Sequence, residues 1–190
     1  MLSVLDQPAY RGRLSRLSVK EYHQLGEFNE NGKRTELIRG FVIEKMSKSP
    51  LHGTIASILQ ELLIPRIPDG FFIRREEPLT LHDSEPEPDI AIASGKRGDF
   101  LEAHPTTAAL VVEIAVSTPD ADRELGELFA EAGVPEYWVV LPRERVIEVY
   151  RHPEGVRYRE MCTYSGGEEI CSGAVPGLRL QLAELFAVLP

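Results

Sequence analysis

Residues 110–140 read LVVEIAVSTPDADRELGELFAEAGVPEYWVV. The run ALVVEIAV, from Ala109 to Val116, is aliphatic and β-branched and too short for a typical helix. It reads as a central strand buried on both faces. DADRELGELFAEAG, residues 120–133, follows as a helix with acidic residues in its first turn and Gly133 as its stop. YWVVL, residues 137–141, is a second buried strand.

Outward from this block, strands and helices keep interchanging. On the C-terminal side, RVIEVYRH (145–152) and VRYREMCTYS (156–165) alternate like the arms of a hairpin, and QLAELFAVL (181–189) closes the chain as a short helix. On the N-terminal side, DIAIA (89–93), PLTL (78–81) and FFIRR (71–75) carry short strand signals. HGTIASILQELLIP (52–65) spaces Ile55, Ile58, Leu59, Leu62 and Leu63 as an amphipathic helix stopped by Pro65. TELIRGFVIEKM reads as two strands, or one bent strand, around Gly40. Ser18 to Glu21 forms a capping box that opens a helix over SVKEYHQLGEFNE, ended by the turn Asn31-Gly32. The expectation is one α/β domain over residues 1–190, a mixed sheet with helices packed against it and a loosely ordered arm over 1–17.

Composition bounds the setting. Apolar residues make up 43% and charged residues 27% of 190 residues, an ordinary globular balance. No apolar run approaches the roughly 20 residues that cross a bilayer, and the N-terminus has no secretory pattern. Cys162 and Cys171, the only cysteines, do not suggest a disulfide framework, so a reduced cytoplasmic setting is expected. The net charge of −9 argues against a broad phosphate-binding surface, Arg11, Arg13, Arg16 and Lys20 forming the one modest basic cluster. Clustered carboxylates suit a hard divalent cation instead.

Two acids stand where a buried strand should be. Glu113 interrupts LVVEIAV, and an ionised carboxylate there needs a cation, hydrogen-bond donors or a paired Arg or Lys. Asp89 opens DIAIA directly after Pro88, at a strand edge, where it is either a turn cap or a site residue. Trp138, Tyr137, Tyr150 and Tyr158 read as core and sheet-packing residues. Gly126 in mid-helix costs about 1 kcal/mol against Ala, with close helix-to-sheet packing as one reason for it. No GxxxxGK[ST], GxGxxG or GxSxG motif is present.

Pro88-Asp89 followed by Glu113-Ile114-Ala115 resembles the PD-(D/E)XK nuclease pattern. Three longer blocks are similar to the Uma-two family of restriction-endonuclease-like proteins: ELIRGFVIEKMSKSPLHG (36–53), REEPLTLHDSEPEPDIAIA (75–93) and residues 110–140. The resemblance implies a restriction-endonuclease-like mixed β-sheet flanked by helices. It implies Mg²⁺, or Mn²⁺, held by Asp89, Glu113 and the Ile114 backbone carbonyl. Glu36 matches an acid of the first block that would support the metal, and His52 matches a histidine at the start of the next helix that would line the cleft. The implied reaction is metal-assisted hydrolysis of DNA phosphodiester bonds. A homodimer is the commonest way to cut both strands, with the hairpin at 145–164 as the candidate pairing surface.

The chain also departs from the pattern. Ala115 stands where ExK would place its lysine, and Leu125 stands where the family moves that lysine into the following helix. Losing such an electrostatic group typically costs about 10²-fold in rate. Arg123, two residues before Leu125 and thus about 200° around the helix, either caps surface charge or pairs with Glu113. The alternative to an endonuclease is therefore a catalytically degenerate binding or regulatory module. A hydrolase of small phosphorylated ligands is a third reading.

Overall fold

A computed structural model describes residues 7–26, 33–117 and 119–189. The backbone divides into two compact units, one of residues 1–45 and 82–86 and the other of 46–81 and 87–190.

In the smaller unit, Pro8–Arg11 forms one helical turn, α1, and Val19–Gly26 forms α2. The Ser18 capping box is present: the Glu21 carboxylate accepts from the Ser18 N–H at 2.8 Å, and the Glu21 N–H donates to the Ser18 hydroxyl at 3.2 Å. The expected Asn31-Gly32 turn lies outside the described residues. TELIRGFVIE forms two strands, β1 (Thr35–Ile38) and β2 (Phe41–Glu44), paired antiparallel. Arg39 and Gly40 turn the chain between them with φ of 50° and 79°. A Cβ on Gly40 would approach the Arg16 Cβ to 2.5 Å, so this position needs glycine for space as well as for φ.

The larger unit is built on α3 (Pro50–Leu63), β3 (Phe71–Arg74), β4 (Ile90–Ser94), β5 (Leu110–Ile114), α4 (Pro119–Glu131), β6 (Glu136–Leu141), β7 (Val146–Glu154), β8 (Arg157–Ser165), a short pair β9 (Glu169–Cys171) and β10 (Arg179–Gln181), and α5 (Leu182–Phe186). Six strands form one mixed sheet in the order β3-β4-β5-β6-β7-β8. Only β5 and β6 run parallel, because α4 carries the chain back between them.

Period 2 sorts the side chains of β5 onto two faces. Leu110, Val112 and Ile114 join a core with Ile55, Leu59 and Leu63 of α3 and Leu182, Leu185 and Phe186 of α5. Val111 and Glu113 point the other way, the side on which Phe129 of α4 meets Tyr137 with ring centroids 5.2 Å apart. Trp138 is fully buried. Gly126 faces the Tyr137 ring, where a Cβ would lie 3.2 Å from Cδ1 and Cε1. The Tyr137 hydroxyl donates to the Asp122 carbonyl at 2.5 Å, so the ring has little room to yield. Gly126→Ala should therefore lower the chemical-denaturation free energy by about 1 kcal/mol, overpacking outweighing the gain in helix propensity. A stabilised variant would show that the ring gives way.

Two expectations change. PLTL is extended but forms no ladder: Leu79 and Leu81 are buried, while the Thr80 N–H donates to the Pro105 carbonyl at 2.9 Å. Pro78 supplies no N–H, and a single bond does not make a strand. The α3 helix begins at Pro50, two residues before His52, because Ser49 is its cap: the His52 N–H donates to the Ser49 hydroxyl at 3.2 Å. Cys162 and Cys171 are both free. No described helix is long and apolar enough to cross a membrane.

Candidate functional site

Asp89 precedes β4 and Glu113 lies in β5, the neighbouring antiparallel strand. Ile90 pairs with Val112, which sets the two acids side by side at one end of the ladder. Both are buried, at 5% and 8% relative exposure. They are joined through backbone: the Asp89 N–H donates to Glu113 Oε2 at 3.2 Å, and the Ile114 N–H donates to Asp89 Oδ2 at 2.8 Å. Neither acid is a turn cap; each holds the other's segment in place.

One side chain from the segment before α3 and one from its first turn complete the cluster. His52 Nε2 lies 2.8 Å from Asp89 Oδ2, and Lys48 Nζ lies 2.6 Å from Asp89 Oδ1. Capping by Ser49 fixes the first turn, which places the two side chains on the same carboxylate. Burial alone would push the Asp89 carboxyl up, but the His52 hydrogen bond and the Lys48 ammonium outweigh it and hold the carboxyl at about 2, below its ordinary 3.8. An ionised Asp89 only accepts, so His52 Nε2 carries its proton. Nδ1 of the same ring is buried without a hydrogen-bond partner among the described residues.

Glu76 brings a third carboxylate to the cluster. Its Oε1 lies 3.2 Å from Lys48 Nζ and 3.4 Å from Arg75 Nε. Its backbone is in the left-handed region at φ 53°, and its N–H is shared between the carbonyls of Pro88 and Asp89 at 3.1 and 3.3 Å. A non-glycine residue held in that region costs of order 1 kcal/mol and clusters at functional sites. Here it ties the Arg75-Glu76 turn to the Pro88-Asp89 step.

Asp89, Glu113 and His52 thus come together, with the Ile114 backbone beside them. Glu36 lies in the smaller unit, where its carboxylate is 3.6 Å from Lys45 Nζ. Arg123 does not pair with Glu113. Its guanidinium donates to both oxygens of Glu148, at 2.9 and 2.7 Å, and to Asp120 at 2.9 Å. The reason is register: Glu148 on β7 faces Val139 of β6 and presents its carboxylate toward α4. Lys48 and Glu76 escaped the sequence reading. Lys48 sits in the polar stretch Met46–Pro50 and Glu76 in the charged run Arg75-Glu76-Glu77, and both patterns read as solvated.

Among the described residues, no group of three or more His, Cys, Asp or Glu side chains is arranged as a metal cage. The fit must be judged on two carboxylates. Mg²⁺ is characteristically held by one or two carboxylates with waters and substrate phosphate rather than by an all-protein cage. Two buried, hard-oxygen acids drawn together, one already carrying an ammonium, match that donor set.

The model of the Uma2 family, described as "putative restriction endonuclease", matches residues 19–183. The chain belongs to the Uma2 family. The match spans the whole cluster from Lys48 to Ile114. A crystal structure of a "putative nuclease belonging to DUF820" from Anabaena variabilis superposes with a TM-score of 0.66 at 20% identity, covering 86% of this chain and 97% of that one. At that identity the likeness shows a shared fold. No curated protein matches the chain.

Proposed function

We propose that this chain is a Mg²⁺-dependent endonuclease that hydrolyses DNA phosphodiester bonds, with Mn²⁺ as an alternative ion. The observation that carries the reading is the joined pair Asp89 and Glu113, buried at one end of the β4-β5 ladder with Lys48 and His52 on one of the two acids. Asp89, Glu113 and the Ile114 carbonyl would hold the ion, whose Lewis acidity offsets charge on the phosphoryl group and acidifies water. His52 orients Asp89 through Nε2–H. Two copies related by a two-fold axis, paired through the hairpin at 145–164, would cut both strands in the cytoplasm.

Calorimetric titration of Mn²⁺ tests the reading without knowledge of the natural substrate. Saturable binding is expected in the wild type and none in Asp89→Asn or Glu113→Gln, with Mg²⁺-dependent nicking of plasmid falling about 10²-fold or more in both. Absence of binding in the wild type at millimolar Mn²⁺ would replace the enzyme with a binding module. Cleavage of a small phosphodiester with no nicking of plasmid would replace DNA with a small ligand.

A further inference from the structure

We infer that Lys48 is the catalytic ammonium of this site, supplied from the segment before α3 in place of the lysine missing at Ala115 and Leu125, and that Glu76 positions it. The inference rests on the nuclease reading above and goes beyond it.

The geometry argues for this role in three ways. Lys48 Nζ contacts Asp89 at 2.6 Å and Glu76 at 3.2 Å, so two of its three N–H donors are occupied by carboxylates on separate segments. The third N–H remains for an oxygen of substrate or water, and the Lys48 side chain, about one-quarter exposed, reaches solvent at that point. Next, the anchoring is built rather than incidental. Ser49 caps α3 immediately after Lys48, and Glu76 is held in a left-handed backbone by two carbonyls of the Pro88-Asp89 step. A surface lysine with a flexible stem and no such anchors would contribute little. Finally, Arg123, two residues before the vacant position at Leu125, is committed to Glu148 and Asp120.

The chemistry needs no proton from Lys48. Water oxygen forms the new bond to phosphorus as the bond to the leaving sugar oxygen breaks. Water gives up a proton to solvent, and the leaving oxygen gains one from solvent. Lys48 stays an ammonium throughout, donating to the developing charge on a phosphoryl oxygen. Because it also sits on Asp89 Oδ1, it would offset charge on a carboxylate that would hold the ion.

The test uses the full chain and separates binding from turnover. Lys48→Met should keep Mn²⁺ affinity within about threefold of wild type, or tighten it, since a positive charge leaves the site. At saturating Mn²⁺ its kcat for plasmid nicking should fall about 10²-fold with KM little changed. Lys48→Arg should recover part of that loss, and Lys48→Gln should behave as Lys48→Met does. Glu76→Gln should lower kcat by about tenfold, and by nothing further in the Lys48→Met background, the signature of a residue acting through Lys48. Nicking by Lys48→Met within about threefold of wild type overturns the inference while leaving the nuclease reading intact. Loss of Mn²⁺ binding in Lys48→Met also overturns it, by making Lys48 a structural part of the acid pair. A wild type that binds no Mn²⁺ and nicks no DNA overturns both readings together.

Discussion

Glu136→Ala is expected to destabilise the larger unit by about 3–5 kcal/mol, read as a shift in the midpoint of urea denaturation at unchanged slope. Glu136 is fully buried at the start of β6. Its two oxygens accept from Trp138 Nε1 at 2.8 Å, Arg151 Nε and Nη2 at 3.2 and 3.1 Å, Ser172 Oγ at 2.7 Å, and the N–H groups of Gly173 and Ala174 at 2.8 and 3.0 Å. A buried charge is tolerable only when so fully satisfied. Removing it strands donors from three segments, although Arg151 keeps the Cys171 carbonyl at 2.8 Å, Glu160 at 3.5 Å and the Tyr164 side chain. The loop at 172–175 would lose the acceptor that ties it to the sheet. Glu136→Gln should cost less, since one amide oxygen still accepts, but its NH₂ then faces donors. Glu136 stands three residues before Val139, the residue opposite Glu113, so roughly 10 Å of strand separates the two acids. Metal affinity of the folded variant should therefore match wild type. A midpoint shift worth less than about 1 kcal/mol would mean that the loop and Arg151 find new partners at little cost.

Glu136 also shows where sequence reasoning stops. EYW was legible as the start of a buried strand because five aliphatic and aromatic residues follow the acid. Its loop partners Ser172, Gly173 and Ala174 were not, because they lie some 36 residues later in a segment that carries no periodic signal. The proposed metal site divides in the same way. Asp89 and Glu113 could be picked out since each violates a local rule, an acid at the edge of an apolar strand or in the middle of one. His52 could be picked out through the block that contains it. Lys48 and Glu76 violate nothing locally: a lysine before a helix cap and a glutamate in a charged run are what a solvated surface looks like. Their role follows only from α3 and the Arg75-Glu76 turn converging on Asp89, which is tertiary information. The β9 and β10 pair went unread because three-residue strands are too short to show a period, whereas the nine-residue strands β7 and β8 showed theirs.

Asp89 makes a prediction about pH that is independent of any substrate. In the folded chain its carboxyl is held at about 2, against an ordinary 3.8. A depressed folded value adds stability that is fully present above the unfolded value and is lost as pH falls through the folded one. Asp89 should therefore stabilise the protein by about 2 kcal/mol at neutral pH, losing that contribution between roughly pH 4.5 and pH 2. The groups that face it are His52, Lys48 and the Ile114 N–H, with Glu113 beside them and Glu76 on the far side of Lys48. Protonating Asp89 leaves the Lys48 ammonium with Glu76 as its remaining carboxylate contact among those measured, which is the physical origin of the loss. Other acids titrate over the same range, so the informative quantity is the difference between wild type and Asp89→Asn. That difference should be about 2 kcal/mol in urea denaturation at pH 7, shrink steadily below pH 4.5 and approach its minimum near pH 2. Asp89→Asn keeps the side-chain shape but turns one acceptor into a donor aimed at Lys48 or His52, so the neutral-pH cost will not fall below this figure. Parallel wild-type and variant curves across the whole range would show that the Lys48 and His52 contacts do not hold Asp89 in its charged form, and would remove the electrostatic basis for grouping these residues as one site.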